Sequence, residues 1–287
     1  MTSKRDEFSS ETVILIQNEI DSPESGEVTP PEEACISPLD RGFLYGDAVF
    51  ETFRCYDGEP AFLEEHTERL NESLDTLKIP ADFSPGEVER IIERLLDALE
   101  PEEDAYVRIS ITRGERDGML TPTEGSPTLV GMAKPLEKRR YEPATAEIVE
   151  TRRPGGELCR LKTHNYLPNV LAKLETDVDE ALMKDAEGRI ASGAVSNLFV
   201  LRNGRLNTPA ENMRKGVTRE FVLETARHLG LATGVSSVES LDGVEAAFLT
   251  NSTWGVRPVE RIGDRQLDVE NQWVERLADE YFERVIP

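Results

Sequence analysis

Lys162 is the residue of this chain best suited to covalent chemistry. It lies in Leu158-Cys159-Arg160-Leu161-Lys162-Thr163-His164-Asn165-Tyr166, where a strand-like stretch gives way to a helical one. Lysine is scarce here, eight residues against 25 arginines, which makes a plain surface role less natural. An amine held between apolar neighbours loses solvation, so its charged form is disfavoured and the neutral amine attacks carbonyls. A second candidate is Gly216-Val217-Thr218-Arg219, a short turn running directly into a helix. Free N–H groups and the positive dipole end at a helix start make a natural phosphate seat, and an ordinary glycine–threonine cap has the same spelling.

Arg69 shares a helical line with Phe62, His66 and Ser73, one position off a leucine stripe. An arginine at such an edge either snorkels to water or turns its planar guanidinium inward to an anion such as phosphate. Thr250-Asn251-Ser252-Thr253 ends an apolar strand with hydroxyls and an amide, a polar ligand set that also spells a simple turn. His66, His164 and His228 lack metal-ligand spacing, and Cys35, Cys55 and Cys159 form no CxxC pair. No metal site and no disulfide framework is expected.

The elements that must position these groups can be read from periodicity. Strands are expected at 12–16, 48–56, 106–112, 128–133, 147–152 and 246–251, with two more around Gly188 and Asn203-Gly204. Helices are expected at 62–77, 85–99, 167–175, 218–229 and 271–285, the second opened by Ser84-Pro85-Gly86-Glu87. Asp21–Glu33, rich in Pro and Glu, reads as an irregular loop. Lys134–Pro143 is polar, holds two prolines and groups Lys138, Arg139 and Arg140, so it reads as a linker. The expectation is an α+β protein of two domains, 1–134 and 142–287, joined by 135–141 and holding a ligand in the cleft between them.

Composition narrows the function classes. The 287 residues carry 33 basic and 56 acidic side chains, a formal net charge of −23, and 38% are hydrophobic. That apolar content supports a real core. The charge would repel phosphate backbones, so nucleic acid is not an expected partner. Acids spread along the whole chain, with few lysines, resemble the solvated surfaces of proteins from high-salt cytoplasm. No apolar run approaches the roughly 20 residues of a membrane span, and Lys4-Arg5-Asp6-Glu7 leads into no leader-like stretch, so a cytoplasmic protein is expected.

Six segments, in order, resemble the class IV aminotransferase family of pyridoxal-phosphate enzymes (fold type IV). They are Asp40–Arg54 (DRGFLYGDAVFETFR), Phe62–Leu70 (FLEEHTERL), Arg160–Lys173 (RLKTHNYLPNVLAK), Ser192–Val200 (SGAVSNLFV), Gly216–Arg219 (GVTR) and Phe248–Val259 (FLTNSTWGVRPV). The resemblance implies that Lys162 carries pyridoxal 5′-phosphate as a Schiff base and shuttles the Cα proton. It implies that Arg69, Ser252 and the amides of Val217 and Thr218 hold the phosphate, and that Tyr166 and Asn197 line the cofactor. Tyr45 and Arg108 match positions facing the substrate carboxylate, with Thr253 beside them. Relatives are homodimers, so a homodimer acting on a small amino substrate is implied.

One position departs from the pattern. Relatives usually carry a glutamate where this chain has Ser192, there to keep the cofactor's pyridine nitrogen protonated. Serine cannot do so, unless Glu187 or another acid reaches in instead. The implied reaction is that of 4-amino-4-deoxychorismate lyase, because branched-chain aminotransferases usually show a Gly-Thr-Ala-Ala-like turn where this chain has Asn251-Ser252-Thr253-Trp254. Branched-chain or D-amino acid transamination and a weakly active cofactor-binding homologue are the alternatives.

Overall fold

The computed structural model describes residues 12–286, apart from 19, 21–25, 102–103, 116–118, 123–124 and 137–138. The chain divides into two compact units, one up to Arg139 together with Lys162–His164, the other Arg140–Leu161 together with Asn165–Ile286.

In the first unit, β1 (Val13–Asn18), β2 (Glu27–Thr29), α1 (Arg41–Tyr45), β3 (Ala48–Tyr56), β4 (Glu59–Pro60), α2 (Leu63–Leu77), α3 (Pro85–Leu99), β5 (Asp104–Thr112) and β6 (Thr128–Leu136) follow one another. The strands form one antiparallel sheet ordered β2-β1-β6-β5-β3-β4. Successive side chains of a strand point to opposite faces. On one face Val49, Phe53 and Cys55 of β3 join Ala105, Val107, Ile109 and Ile111 of β5 in the core. Helix α3 covers them with Val88, Ile91, Ile92, Leu95 and Leu96, a stripe at helical spacing, and α2 adds Leu70 and Leu74. The expected capping box is formed: Ser84 Oγ accepts from Glu87 N at 3.3 Å and Glu87 accepts from Ser84 N at 2.7 Å.

The second unit contains β7 (Ala144–Arg152), a single 3-10 turn (Glu157–Cys159), α4 (Leu167–Leu174), β8 (Glu180–Lys184), β9 (Ile190–Gly193), β10 (Asn197–Arg202), β11 (Arg205–Thr208), α5 (Val217–His228), β12 (Ala232–Val235), β13 (Ala246–Asn251), β14 (Gly255–Ile262), β15 (Arg265–Gln266) and α6 (Gln272–Val285). Its mixed sheet runs β12-β11-β10-β13-β14-β7-β8-β9, with β15 on β14. Leu198 and Val200 of β10, Ala247 and Leu249 of β13 and Val259 of β14 pack on one face, and Phe199 and Phe248 stack at 4.8 Å between ring centres.

The α+β architecture matches expectation, with instructive differences. Asp21–Ser25 lies outside the described residues, and Glu27–Thr29 of the expected loop is an edge strand. The expected linker starts as sheet, since β6 continues through Pro135 and Leu136 to pair with Ala105 and Asp104. Helix α1 has only five residues, too short for a periodic signal; Asp40 caps it by accepting from the N–H groups of Gly42 and Phe43, and Gly46 at φ 66° ends it. Strands β12, β14 and β15 carry too little alternation to be read from sequence.

Arg54 and Asp104 form an ion pair with no solvent exposure, 2.6 Å from Nη2 to Oδ2, and Arg139 reaches Asp104 Oδ1 at 3.0 Å. Removing one partner of such a pair strands a buried charge, so Asp104→Ala should cost about 3–5 kcal/mol. Urea unfolding at fixed salt measures this; a loss below about 1 kcal/mol would contradict the pair's role.

Candidate functional site

Lys162 is 9% exposed, and its main chain is sewn to the edge of β3. Phe50 N donates to Lys162 O at 2.8 Å, His164 N donates to Ala48 O at 3.1 Å, and Thr163 bridges Val49. Strand parity turns Phe50 away from the core, onto the sheet face that also carries Arg108 and Ser110. Lys162 Nζ stands 4.6 Å from the Phe50 ring centre, and Arg108 Cζ stands 3.5 Å from it. The His164 ring meets Phe50 edge-on at 5.7 Å. Burial, then the charge of Arg108, pushes the His164 imidazole down to about 4 against a weaker pull from Asp40. Lys162, Arg108 and His164 are thus gathered round one aromatic ring.

Glu51 sits between Val49 and Phe53 on the apolar core face of β3 and has no exposure. It is the anion that Arg69 turns inward to meet: Nε donates to Oε1 at 2.8 Å and Nη2 to Oε2 at 2.7 Å, a bidentate pair. His66 Nδ1 lies 2.8 Å from Oε2. Burial alone would raise the Glu51 carboxyl, but Arg69 and His66 hold it well below the usual range. Burial also lowers the His66 imidazole, outweighing the hydrogen bond to Glu51. Sequence reading singled out Arg69 and passed over Glu51, whose signal was an acid inside an alternating apolar strand. Tyr45, half-exposed on α1, lies under Arg41 at 5.0 Å.

In the second unit, Asn197 Oδ1 accepts from Gly216 N at 3.2 Å while its Nδ2 donates to Arg214 O at 2.8 Å. A side chain at 216 would put Cβ 2.4 Å from Asn197 Oδ1, so only glycine fits. Arg214 Nη1 donates to the Tyr166 hydroxyl at 2.9 Å. Helix α5 starts with no side-chain cap, leaving the first-turn N–H groups of Val217 and Thr218 open, and the buried Thr218 Oγ1 has no hydrogen-bond partner. Asn197 of β10 pairs with Thr250 of β13, whose following turn carries Ser252 and Thr253; Asn251 Oδ1 closes that turn by accepting from Thr253 N and Trp254 N. An uncapped helix start, an orphaned hydroxyl and a glycine held by an amide suit an anion such as a phosphate.

A model of the amino-transferase class IV family matches residues 48–262. The chain belongs to that family. It is 34% identical over 250 residues to an aminodeoxychorismate lyase of Bacillus subtilis, covering 83% of this chain and 85% of that one. It is 33% identical over 257 residues to a putative branched-chain-amino-acid aminotransferase of Methanocaldococcus jannaschii, covering 85% and 88%. Among solved structures, the T.th. branched-chain amino acid aminotransferase with pyridoxamine 5′-phosphate superposes with a TM-score of 0.84 at 27% identity, covering 94% of this chain and 93% of that one. This class IV enzyme therefore works with pyridoxal 5′-phosphate, and the uncapped start of α5 fits the cofactor's phosphate.

Ser192, buried in β9, donates from Oγ to Gly193 O at 2.9 Å. Glu187 does not reach it: that carboxylate is largely exposed and lies 3.2 Å from Arg189. The buried acid nearby is Glu180, which sequence reading missed. Its Oε1 accepts from Ala181 N and Ala194 N, and its Oε2 from Val195 N and Ser196 Oγ. Burial raises its carboxyl despite these donors.

The His164 shift has a definite sign. Its folded value near 4 lies below the ordinary 6.5, so unfolded chains bind the extra proton and stability falls as pH drops from 6.5 toward 4. The full effect is at most about 3 kcal/mol. Urea midpoints at pH 7 and pH 5 should separate less in His164→Gln than in the parent; equal separations would refute the assignment.

Proposed function

We propose that this enzyme is a 4-amino-4-deoxychorismate lyase, which releases pyruvate and forms 4-aminobenzoate. The observation that carries the reading is the Asn251-Ser252-Thr253-Trp254 turn, closed by the Asn251 side chain, in a chain 34% identical to the Bacillus subtilis lyase. A second reading, branched-chain or D-amino acid transamination, is favoured by the 33% identity to the Methanocaldococcus jannaschii protein. Ser192 supports a third, a cofactor-binding homologue of low activity.

In this reading Arg69, Ser252, Thr218 Oγ1 and the amides of Val217 and Thr218 bind the cofactor phosphate. Tyr166, Ser192 and Asn197 would line its ring, Lys162 Nζ would hold its carbonyl, and Tyr45, Arg108 and Thr253 would face the substrate carboxylate. When bound, pyridoxal 5′-phosphate supplies an electrophilic carbonyl and a ring that delocalises the electron pair left at the amino-bearing carbon. Released from the carbonyl by the substrate amine, Lys162 Nζ would be a free base positioned to remove the proton from that carbon. The C–O bond to the enolpyruvyl group then breaks, the six-membered ring becomes aromatic, and the proton leaves with the product as pyruvate. Phe50, with Arg108 3.5 Å from its ring centre and Lys162 Nζ 4.6 Å from it, holds the amine and the guanidinium about one ring.

The homodimer implied by the resemblance has a suitable surface. Leu167, Val170, Leu171 and Leu174, at positions i, i+3, i+4 and i+7 of α4, form an exposed apolar stripe. A second copy covers it, in a cytoplasmic enzyme whose acid-rich surface suits high salt.

Two measurements test these statements. At high salt with cofactor, aminodeoxychorismate should yield 4-aminobenzoate and pyruvate, while L-leucine with 2-oxoglutarate should yield no glutamate; glutamate without aminobenzoate would overturn the lyase reading. Light scattering should give a dimer mass for the parent and a monomer mass for Leu171→Glu/Leu174→Glu; an unchanged mass in the variant would remove α4 from the interface.

A further inference from the structure

Glu180 opens β8 with no solvent exposure, followed by the buried apolar side chains of Ala181, Leu182 and Met183. Glu51 and Asp104, buried in the first unit, each meet an arginine. Glu180 instead meets hydrogen-bond donors on both oxygens. Its Oε1 accepts from Ala181 N at 3.0 Å and Ala194 N at 3.1 Å. Its Oε2 accepts from Ser196 Oγ at 2.6 Å and Val195 N at 3.3 Å. Ala194, Val195 and Ser196 are consecutive and make up the turn between β9 and β10, so that turn closes over the carboxylate. Gly193 leaves the room for it, since a Cβ there would stand 2.6 Å from Glu180 Oε2. A carboxylate is costly to bury, and the backbone of β8 does not require one here; the donors it gathers are what it contributes.

The same turn carries the site. Asn197 follows Ser196 directly, and its side chain holds Gly216 N at 3.2 Å and Arg214 O at 2.8 Å, the segment that leads into α5. The first-turn amides of Val217 and Thr218 come next. On the other side, Val195 O accepts from Asn251 Nδ2 at 3.4 Å, and Ala194 O accepts from Asn169 Nδ2 of α4. Where Ser196 sits decides where Asn197 begins, and an anion seat made of backbone amides tolerates little displacement.

We infer that Glu180 is a positioning residue of the phosphate seat: by gathering Ala194, Val195 and Ser196 it sets Asn197, and through Asn197 the amides at the start of α5. The inference rests on the reading of that helix start as the place of the cofactor's phosphate, and adds what keeps the place in shape. Glu180 therefore matters for the phosphate end of the cofactor and not for its carbonyl, which Lys162 of the first unit would hold.

The test titrates pyridoxal 5′-phosphate and pyridoxal, which has a hydroxyl in place of the phosphate, into the full chain freed of cofactor, followed by absorbance. The parent should bind the phosphate form at least about a hundredfold more tightly. Glu180→Gln should weaken the phosphate form at least about tenfold and leave pyridoxal within about twofold, because whichever way the amide turns its nitrogen meets a backbone N–H. Ser196→Ala, which removes one donor and leaves the backbone, should give a smaller loss confined to the phosphate form. A merely structural role would weaken both forms together or neither, and either result overturns the inference. If Glu180→Gln does not fold, Ser196→Ala decides by the same comparison. Equal affinity of the parent for the two forms would remove the seat, and the inference with it. That outcome is distinct from a variant that keeps the parent's preference, which overturns the role of Glu180 alone. The lyase reading fails separately, by absence of aminobenzoate from aminodeoxychorismate.

Discussion

The edge of β3 is the constraint on which the site depends. Its outward-facing N–H and C=O groups at Ala48 and Phe50 would otherwise lie unpaired, and the main chain of Lys162 and His164 satisfies them. This exchange carries a residue far downstream of Phe50 into the first unit and fixes where its side chain begins. A lysine has four rotatable bonds, and a reactive amine needs its stem anchored. Here the backbone is sewn to the sheet of the first unit and the amine rests over the Phe50 ring, so little freedom is left to the side chain.

Charge pairing is the second organising force. A chain of net charge −23 can find an acid for almost any base, and its buried arginines do: Arg54 with Asp104, Arg69 with Glu51, Arg113 with Asp47. These pairs set positions more than they add stability, since desolvation offsets much of the attraction. Glu51 shows the positional role well. It lies on an apolar face where no acid would rest alone, and its bidentate grip orients Arg69 and brings His66 with it.

Much of this was legible in the chain itself. The alternation in Ala48–Tyr56 and Tyr106–Thr112, the leucine stripe of α2 and the capping box of α3 are local signals, and the local elements follow them. The family likewise followed from six short segments that keep their residue types in order. What stayed hidden depends on partners far apart in sequence. Tyr166 and Arg214 meet across 48 residues, Glu180 closes on Ser196 across 16, and Glu51 meets Arg69 across 18. No periodicity announces such pairs, because the distance between them is set only when sheets and helices have packed. Glu187 illustrates the converse: near Ser192 in sequence, it is turned away to Arg189 by the tight turn at Gly188.

The central claim is that Lys162 is the amine that holds the cofactor. Borohydride reduction locks pyridoxal 5′-phosphate onto whichever amine carries it, and peptide mass mapping then finds that amine. The account predicts the phosphopyridoxyl mass on the peptide containing Lys162 and its absence from the peptides of the other seven lysines. The label on another lysine, or no label in enzyme that retains the cofactor's absorbance, would contradict it.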